Sequence, residues 1–100
     1  MADNEGLQEL LERFTDFLLN LDKYLRKQSV VCNTVTDVVC LTKPQPSEEG
    51  YVAYGLLRVS SQYFPFEATL NLEDGWVDII MDPFIQRIPL DQFKRMVGIE

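Results

Sequence analysis

Residues 66–82 read FEATLNLEDGWVDIIMD, and their pattern decides the fold. Phe66, Ala68, Leu70 and Leu72 alternate with Glu67, Thr69, Asn71 and Glu73, as in a strand with one face in a core. Asp74-Gly75 then predicts a two-residue type I′ turn. Folding there sets Leu72 opposite Val77, Leu70 opposite Ile79 and Ala68 opposite Met81, so one face of the hairpin is wholly apolar. On the other face Glu73 lies beside Trp76, Asn71 beside Asp78, Thr69 beside Ile80 and Glu67 beside Asp82. Trp76, the single tryptophan, and Ile80 thus stand among four acids.

Working outward, the N-terminal side begins with a stripe. Leu7, Leu10, Leu11, Phe14, Phe17, Leu18, Leu21, Tyr24 and Leu25 repeat in steps of three and one. That spacing predicts one amphipathic helix from about Glu5 to Gln28, with Asn4 as N-cap. Glu5, Glu9, Glu12 and Asp16 suit its first half, and Lys23, Arg26 and Lys27 its end. Such a helix runs roughly 36 Å, against about 23 Å for a seven-residue strand. Part of the stripe should then overhang a small sheet. The stripe is wider than a two-stranded coiled-coil seam needs, which favours packing on the domain's own sheet. A homodimer through this N-terminal helix is the competing arrangement. Leu19 lies off the stripe.

Ser29 to Lys43 is rich in valine and reads as one long strand or two short ones. Residues 43–50, with two prolines and no apolar side chain, form the mobile loop of this reading. Tyr51 to Ser61 resumes as a strand in which Gly55 marks a bulge or a close-packing point. Beyond the hairpin, Pro83 ends a strand and Phe84 to Ile88 suit a short further one. Pro89 opens a final helix, about Leu90 to Val97, whose inner face is Leu90, Phe93 and Val97 and whose stop is Gly98. The fold class expected is therefore α+β: a long N-terminal amphipathic helix on a four- or five-stranded antiparallel sheet, with a short C-terminal helix. One hundred residues that are 46% hydrophobic suit one domain, 1–100, with one core.

Composition removes more functions than any motif adds. Sixteen acidic residues stand against nine basic ones, for a net charge of −7, and histidine is absent. The usual neutral-pH general base and the commonest zinc ligand are both missing. Cys32 and Cys40 are too few for a structural zinc site. On one strand they would lie roughly 26 Å apart, beyond disulfide reach, whereas a turn in the polar Asn33–Asp37 segment would bring them together. They read as two buried reduced thiols. Asp78 and Asp82, four residues apart on a strand and so roughly 13 Å, are too distant for paired carboxylate catalysis. No Gly-rich phosphate loop or nucleophile elbow occurs. No enzyme, cofactor or metal site is expected. The acidity argues against direct nucleic-acid binding. No apolar run approaches eighteen residues, and the acidic N-terminus is unlike a signal peptide, so the expected compartment is the cytoplasm.

What remains is contact with a protein partner. Tryptophan leads the residues that anchor interfaces, and acids around it would steer a basic partner. Trp76, Ile80, Glu67, Glu73, Asp78 and Asp82 are the expected partner-binding residues. A segment covering this face would instead make Trp76 ordinary core. The outline of a long first helix, an antiparallel sheet, a last helix and strong acidity is similar to the small secretion chaperones of bacterial type III systems. That likeness is of layout and of no motif, and a shared fold does not carry function with it. It implies a chaperone or adaptor that holds a partner segment. The alternative is a small acidic inhibitor, such as a phage anti-defence or immunity protein, that mimics nucleic acid and blocks a nucleic-acid-binding enzyme. A mimic needs its acids in a row at phosphate-like spacing and binds in a strongly salt-dependent way.

Overall fold

The computed structural model describes residues 2–27 and 36–99, with side chains described from Gly6 in the first segment and from Asp37 in the second. In chain order the elements are α1 (Ala2–Leu19), α2 (Leu21–Lys27), β1 (Thr36–Leu41), β2 (Gln45–Pro46), β3 (Gly50–Val59), β4 (Gln62–Asn71), β5 (Trp76–Met81), β6 (Phe84–Pro89) and α3 (Leu90–Met96). The sheet is antiparallel, in the order β1-β3-β4-β5-β6, and β2 continues the line of β1 along the same edge of β3. The fold is α+β, as the patterning predicts.

The hairpin keeps the expected faces but not the expected pairs. Asn71 faces Trp76, Leu70 faces Val77, Ala68 faces Ile79 and Glu67 faces Ile80. That register is displaced by two residues from the one a two-residue Asp74-Gly75 turn requires. The cause is Asn71. It is buried, and its Oδ1 accepts the Asp74 N–H at 2.9 Å while its carbonyl accepts the Gly75 N–H at 3.0 Å. The Glu49 carbonyl accepts the N–H groups of Leu72 and Glu73 from the neighbouring turn. Residues 72–75 therefore leave the ladder as a four-residue loop with Gly75 at φ 79°, and Leu72 is exposed. Because strand side chains alternate with period two, a slip of two leaves every side chain that stays in the ladder on its predicted face.

The apolar face of that hairpin is covered by helices. Leu10, Phe14, Leu18, Leu21 and Leu25 of the stripe lie in one core with Leu57, Phe66, Ala68, Leu70, Val77, Ile79 and Ile88. From α3, Phe93 joins them, edge-on to Phe14 and Phe17 at centroid distances of 6.2 and 5.2 Å. The single helix expected over 5–28 is divided at Asn20. Its amide nitrogen is shared between the Asp16 and Phe17 carbonyls, and its side chain also donates to Asp16. A side chain that caps the preceding turn competes with the helical ladder. Asn4 lies inside α1 and does not cap it. β3 and β4 are ten residues each, longer than the seven-residue strand that would leave an overhang, and the stripe joins the core from Leu10 to Leu25 with Leu7 outside it. Leu19 is exposed.

The remaining elements fall near their predicted places. β1 occupies only part of the 29–43 stretch, and residues 28–35, Cys32 among them, lie outside the described residues. Cys40 is exposed instead of buried: a bulge between Val38 and Cys40 turns it to the face opposite the helices. The expected loop over 43–50 contains β2. Its tip is tied to β3 where Ser47 donates its N–H to the Gly50 carbonyl at 2.8 Å. After Pro89, α3 buries Phe93 and half-buries Leu90 and Val97, and Gly98 takes φ 84°. Arg13 of α1 donates to the Val97 carbonyl at 3.1 Å, tying the first helix to the C-terminal end of the last.

Gly55 is the close-packing point its place in the strand suggests. A Cβ there would sit 2.3 Å from Cζ of the buried Phe66 ring and 3.0 Å from the Cys40 carbonyl oxygen. Gly55→Ala should therefore destabilise the fold by about 1–3 kcal/mol, the usual cost of overpacking. Urea unfolding measures this directly. An unchanged midpoint would show that the Phe66 ring does not lie over Gly55.

Candidate functional site

The face of the sheet turned away from the helices is built in rows across the strands. One row runs Val52, Thr69, Asp78, Arg87. The next runs Tyr54, Glu67, Ile80, Ile85, and a shorter one joins Asn71, Trp76 and Pro89. Among the described residues no helix lies over these rows: Tyr54 is 52% exposed and Ile85 71%, while Asn71 in the shorter row is buried, its Nδ2 donating to the Glu49 and Asp74 carboxylates of the adjoining turns. Trp76 and Ile80 are half-buried by their strand neighbours alone. Tyr63 extends the apolar surface at the far end, beside Arg58.

Of the six residues expected to bind a partner, the structure brings four together on this face. Trp76, Ile80, Glu67 and Asp78 share it. Glu73 and Asp82 do not join them. The displaced register puts Glu73 in the loop before β5 and Ile80, not Asp82, opposite Glu67, so Asp82 falls in the turn after β5. Four acids around the tryptophan are therefore reduced to two.

One of those two is neutralised in place. Arg87 donates from Nε and Nη2 to both oxygens of Asp78, at 2.8 and 3.1 Å. The same guanidinium lies over the indole, with Cζ 4.9 Å from the Trp76 ring centroid. A planar cation that forks onto a carboxylate and stacks on an aromatic ring is a role for which lysine is no substitute. The hydrogen bond to Asp78, and then its charge, hold the Arg87 guanidinium still more firmly protonated than usual. At the other end of the face Arg58 makes the same two-pronged contact with Asp37, at 3.1 and 3.2 Å. Glu67 has no ion pair among the described residues. It borders a shallow depression with Tyr54, Val52 and the loop-tip residues Ser47, Glu48 and Glu49.

Tyr54 and Val52 from β3, Arg87 and Ile85 from β6, and the loop tip are parts of this surface that the hairpin pattern does not reveal. β3 is apolar on both faces, with Val52, Tyr54 and Leu56 outward and Ala53 and Leu57 inward, so it reads as a core strand. The signal for Arg87 is weaker still. It is a lone cation in a six-residue strand, and its partner is set by a register that Asn71 changes. Among the described residues no three acidic or cysteine side chains converge as metal ligands would. None of the described helices is long and apolar enough to cross a membrane.

Comparison with family models, with characterised proteins and with solved structures finds no significant match to this chain. The stack on Trp76 has a direct optical consequence. Arg87→Ala should raise the acrylamide quenching of the Trp76 emission and shift it to longer wavelength, with the fold intact by circular dichroism. Equal quenching in the two proteins would mean that Arg87 does not cover the ring.

Proposed function

We propose that this chain is a non-enzymatic, acidic protein-interaction domain that holds a partner segment on the outer face of its sheet, as a chaperone or adaptor does. The observation that carries this reading is the apolar surface of Tyr54, Ile80 and Ile85, which no described helix covers, beside the half-buried Trp76 under Arg87. Large aromatic side chains that lose little freedom on contact are the usual anchors of interfaces. Arg87 holds Trp76 in one orientation before any partner arrives, which lowers the ordering cost of binding. Glu48, Glu49 and Glu67 at one corner, within a net charge of −7, favour approach by a basic segment.

The inhibitor that mimics nucleic acid draws less support from the same face. Such a mimic presents unpaired acids in a row, whereas Asp37 and Asp78 here are held by Arg58 and Arg87. On the reading we favour the domain has no catalytic residue, cofactor or metal. It works in the cytoplasm, where an exposed thiol such as Cys40 stays reduced.

Affinity capture from the native host, run at low and at high salt, tests this reading. Apolar contact should keep the partner bound at high salt, while charge steering alone would release it. Trp76→Ala should weaken binding by about 2 kcal/mol or more, roughly 30-fold. Ile80→Asp should abolish it while the chain stays folded. A partner that both variants retain, or that salt alone removes, would contradict the proposal.

A further inference from the structure

We propose that β6 is a docking edge for a second copy of this chain, joined antiparallel so that Ile85 of one copy faces Arg87 of the other and one sheet runs through both. β6 is the last strand of the sheet. The Leu90 N–H donates to the Gly75 carbonyl, which fixes the hydrogen-bonded positions along β5 and β6. With the register Asp78 to Arg87 and Ile80 to Ile85, alternation makes Val77–Ile88, Ile79–Gln86 and Met81–Phe84 the bonded pairs. The backbone N–H and C=O of Ile85 and Arg87 therefore point out at the free edge, where no described group meets them.

These free groups are self-complementary in one register. About a two-fold axis through Gln86, Ile85 and Arg87 of one copy meet Arg87 and Ile85 of the other, and all four free N–H groups find carbonyls. The same register sets Pro89 opposite Pro83, so the two residues without an N–H lie together at the ends. A slip of two residues one way would set Arg87 against Arg87, like charges directly opposed. A slip the other way would set Arg87 against Pro83, which has no hydrogen to donate.

A second observation points to the same register. Phe84 faces the helix side of the sheet, yet it is 54% exposed. In the paired edge it lies next to Ile88 of the other copy. There a groove lined by Tyr24, Lys27, Gln86, Arg87, Ile88, Gln92 and Met96 opens beside the strand. Met96 is itself 42% exposed. Seating each Phe84 in the partner's groove removes both apolar groups from water. The opposite edge is built differently: β1 carries a bulge between Val38 and Cys40, a common way of making an edge unfit for pairing. The pairing uses the backbone of Ile85 and Arg87 whereas the open face uses their side chains, so loss of either proposal leaves the other standing.

Sedimentation equilibrium of the full chain tests the pairing across about 1 μM to about 1 mM, the range of ordinary weak association. The mass should rise from 11.6 kDa towards twice that value. Ile85→Pro removes an outward N–H without touching the β5–β6 ladder, and Phe84→Glu puts a charge in the groove. Both should remain at the monomer mass with unchanged circular dichroism, and Phe84→Glu decides should Ile85→Pro fail to fold. In a chain with Cys32→Ser and Cys40→Ser, Gln86→Cys should form a disulfide-linked dimer on mild oxidation. Facing residues of a non-bonded pair stand about 4.5 Å apart, close enough for that bond. A wild-type chain that stays monomeric throughout, or a dimer that survives Phe84→Glu, overturns the proposal.

Discussion

Phe14 and Phe93 meet edge to face in the core, with Phe17 against the same ring, and the rest of the molecule depends on this contact. It joins the first helix and the last over one side of the sheet. The stripe of α1 and α2 fills the remainder of that side, from Leu10 to Leu25. With all three described helices committed to one face, the strands of the sheet must serve two environments at once. Leu70, Val77 and Ile79 go into the core, while Thr69, Trp76 and Ile80 go to the other side. The open face is thus a consequence of where the aromatic core sits.

Charge follows the same division. The surplus of acids is not a uniform cloud, because the sheet face carries arginines of its own. Asp37 with Arg58 and Asp78 with Arg87 form two forked pairs near opposite ends of the face. The Asp37 and Arg58 side chains are both partly exposed, whereas the Asp78 carboxylate under Arg87 is only 15% exposed. The effect of the two pairs is on shape: each holds a long side chain flat against the strands, and Arg87 fixes Trp76 beneath it. On this face the acids without an ion pair among the described residues, Glu67 with Glu48 and Glu49 of the loop tip, lie at one corner.

Much of this was legible in residues 66–82, and the part that was not has a physical cause. The alternation from Phe66 to Leu70 and from Val77 to Met81 identifies the core face correctly. It cannot count the residues in the turn, since Asp74-Gly75 fits a two-residue loop and a four-residue loop equally. The side chain of Asn71 and the carbonyl of Glu49 settle that choice, and the latter comes from a turn distant in sequence. Period two then protects the faces while changing the neighbours: Trp76 and Ile80 stay outward, and Glu73 and Asp82 are lost from the cluster. The helix stripe was similarly clear in its buried positions and silent about the break at Asn20. β3 hid its outward residues because an apolar strand on two faces has no alternation to read.

Adjacent residues of β5, and likewise of β6, lie in opposite environments, one under the helices and one on the open face. Methyl relaxation by a soluble paramagnetic probe compares them within a single sample. Ile79 and Ile88, each 2% exposed, should be almost untouched, while Ile80 and Ile85 should relax strongly. Equal protection of all four methyl groups would mean that the outer face is covered, which contradicts an open sheet face.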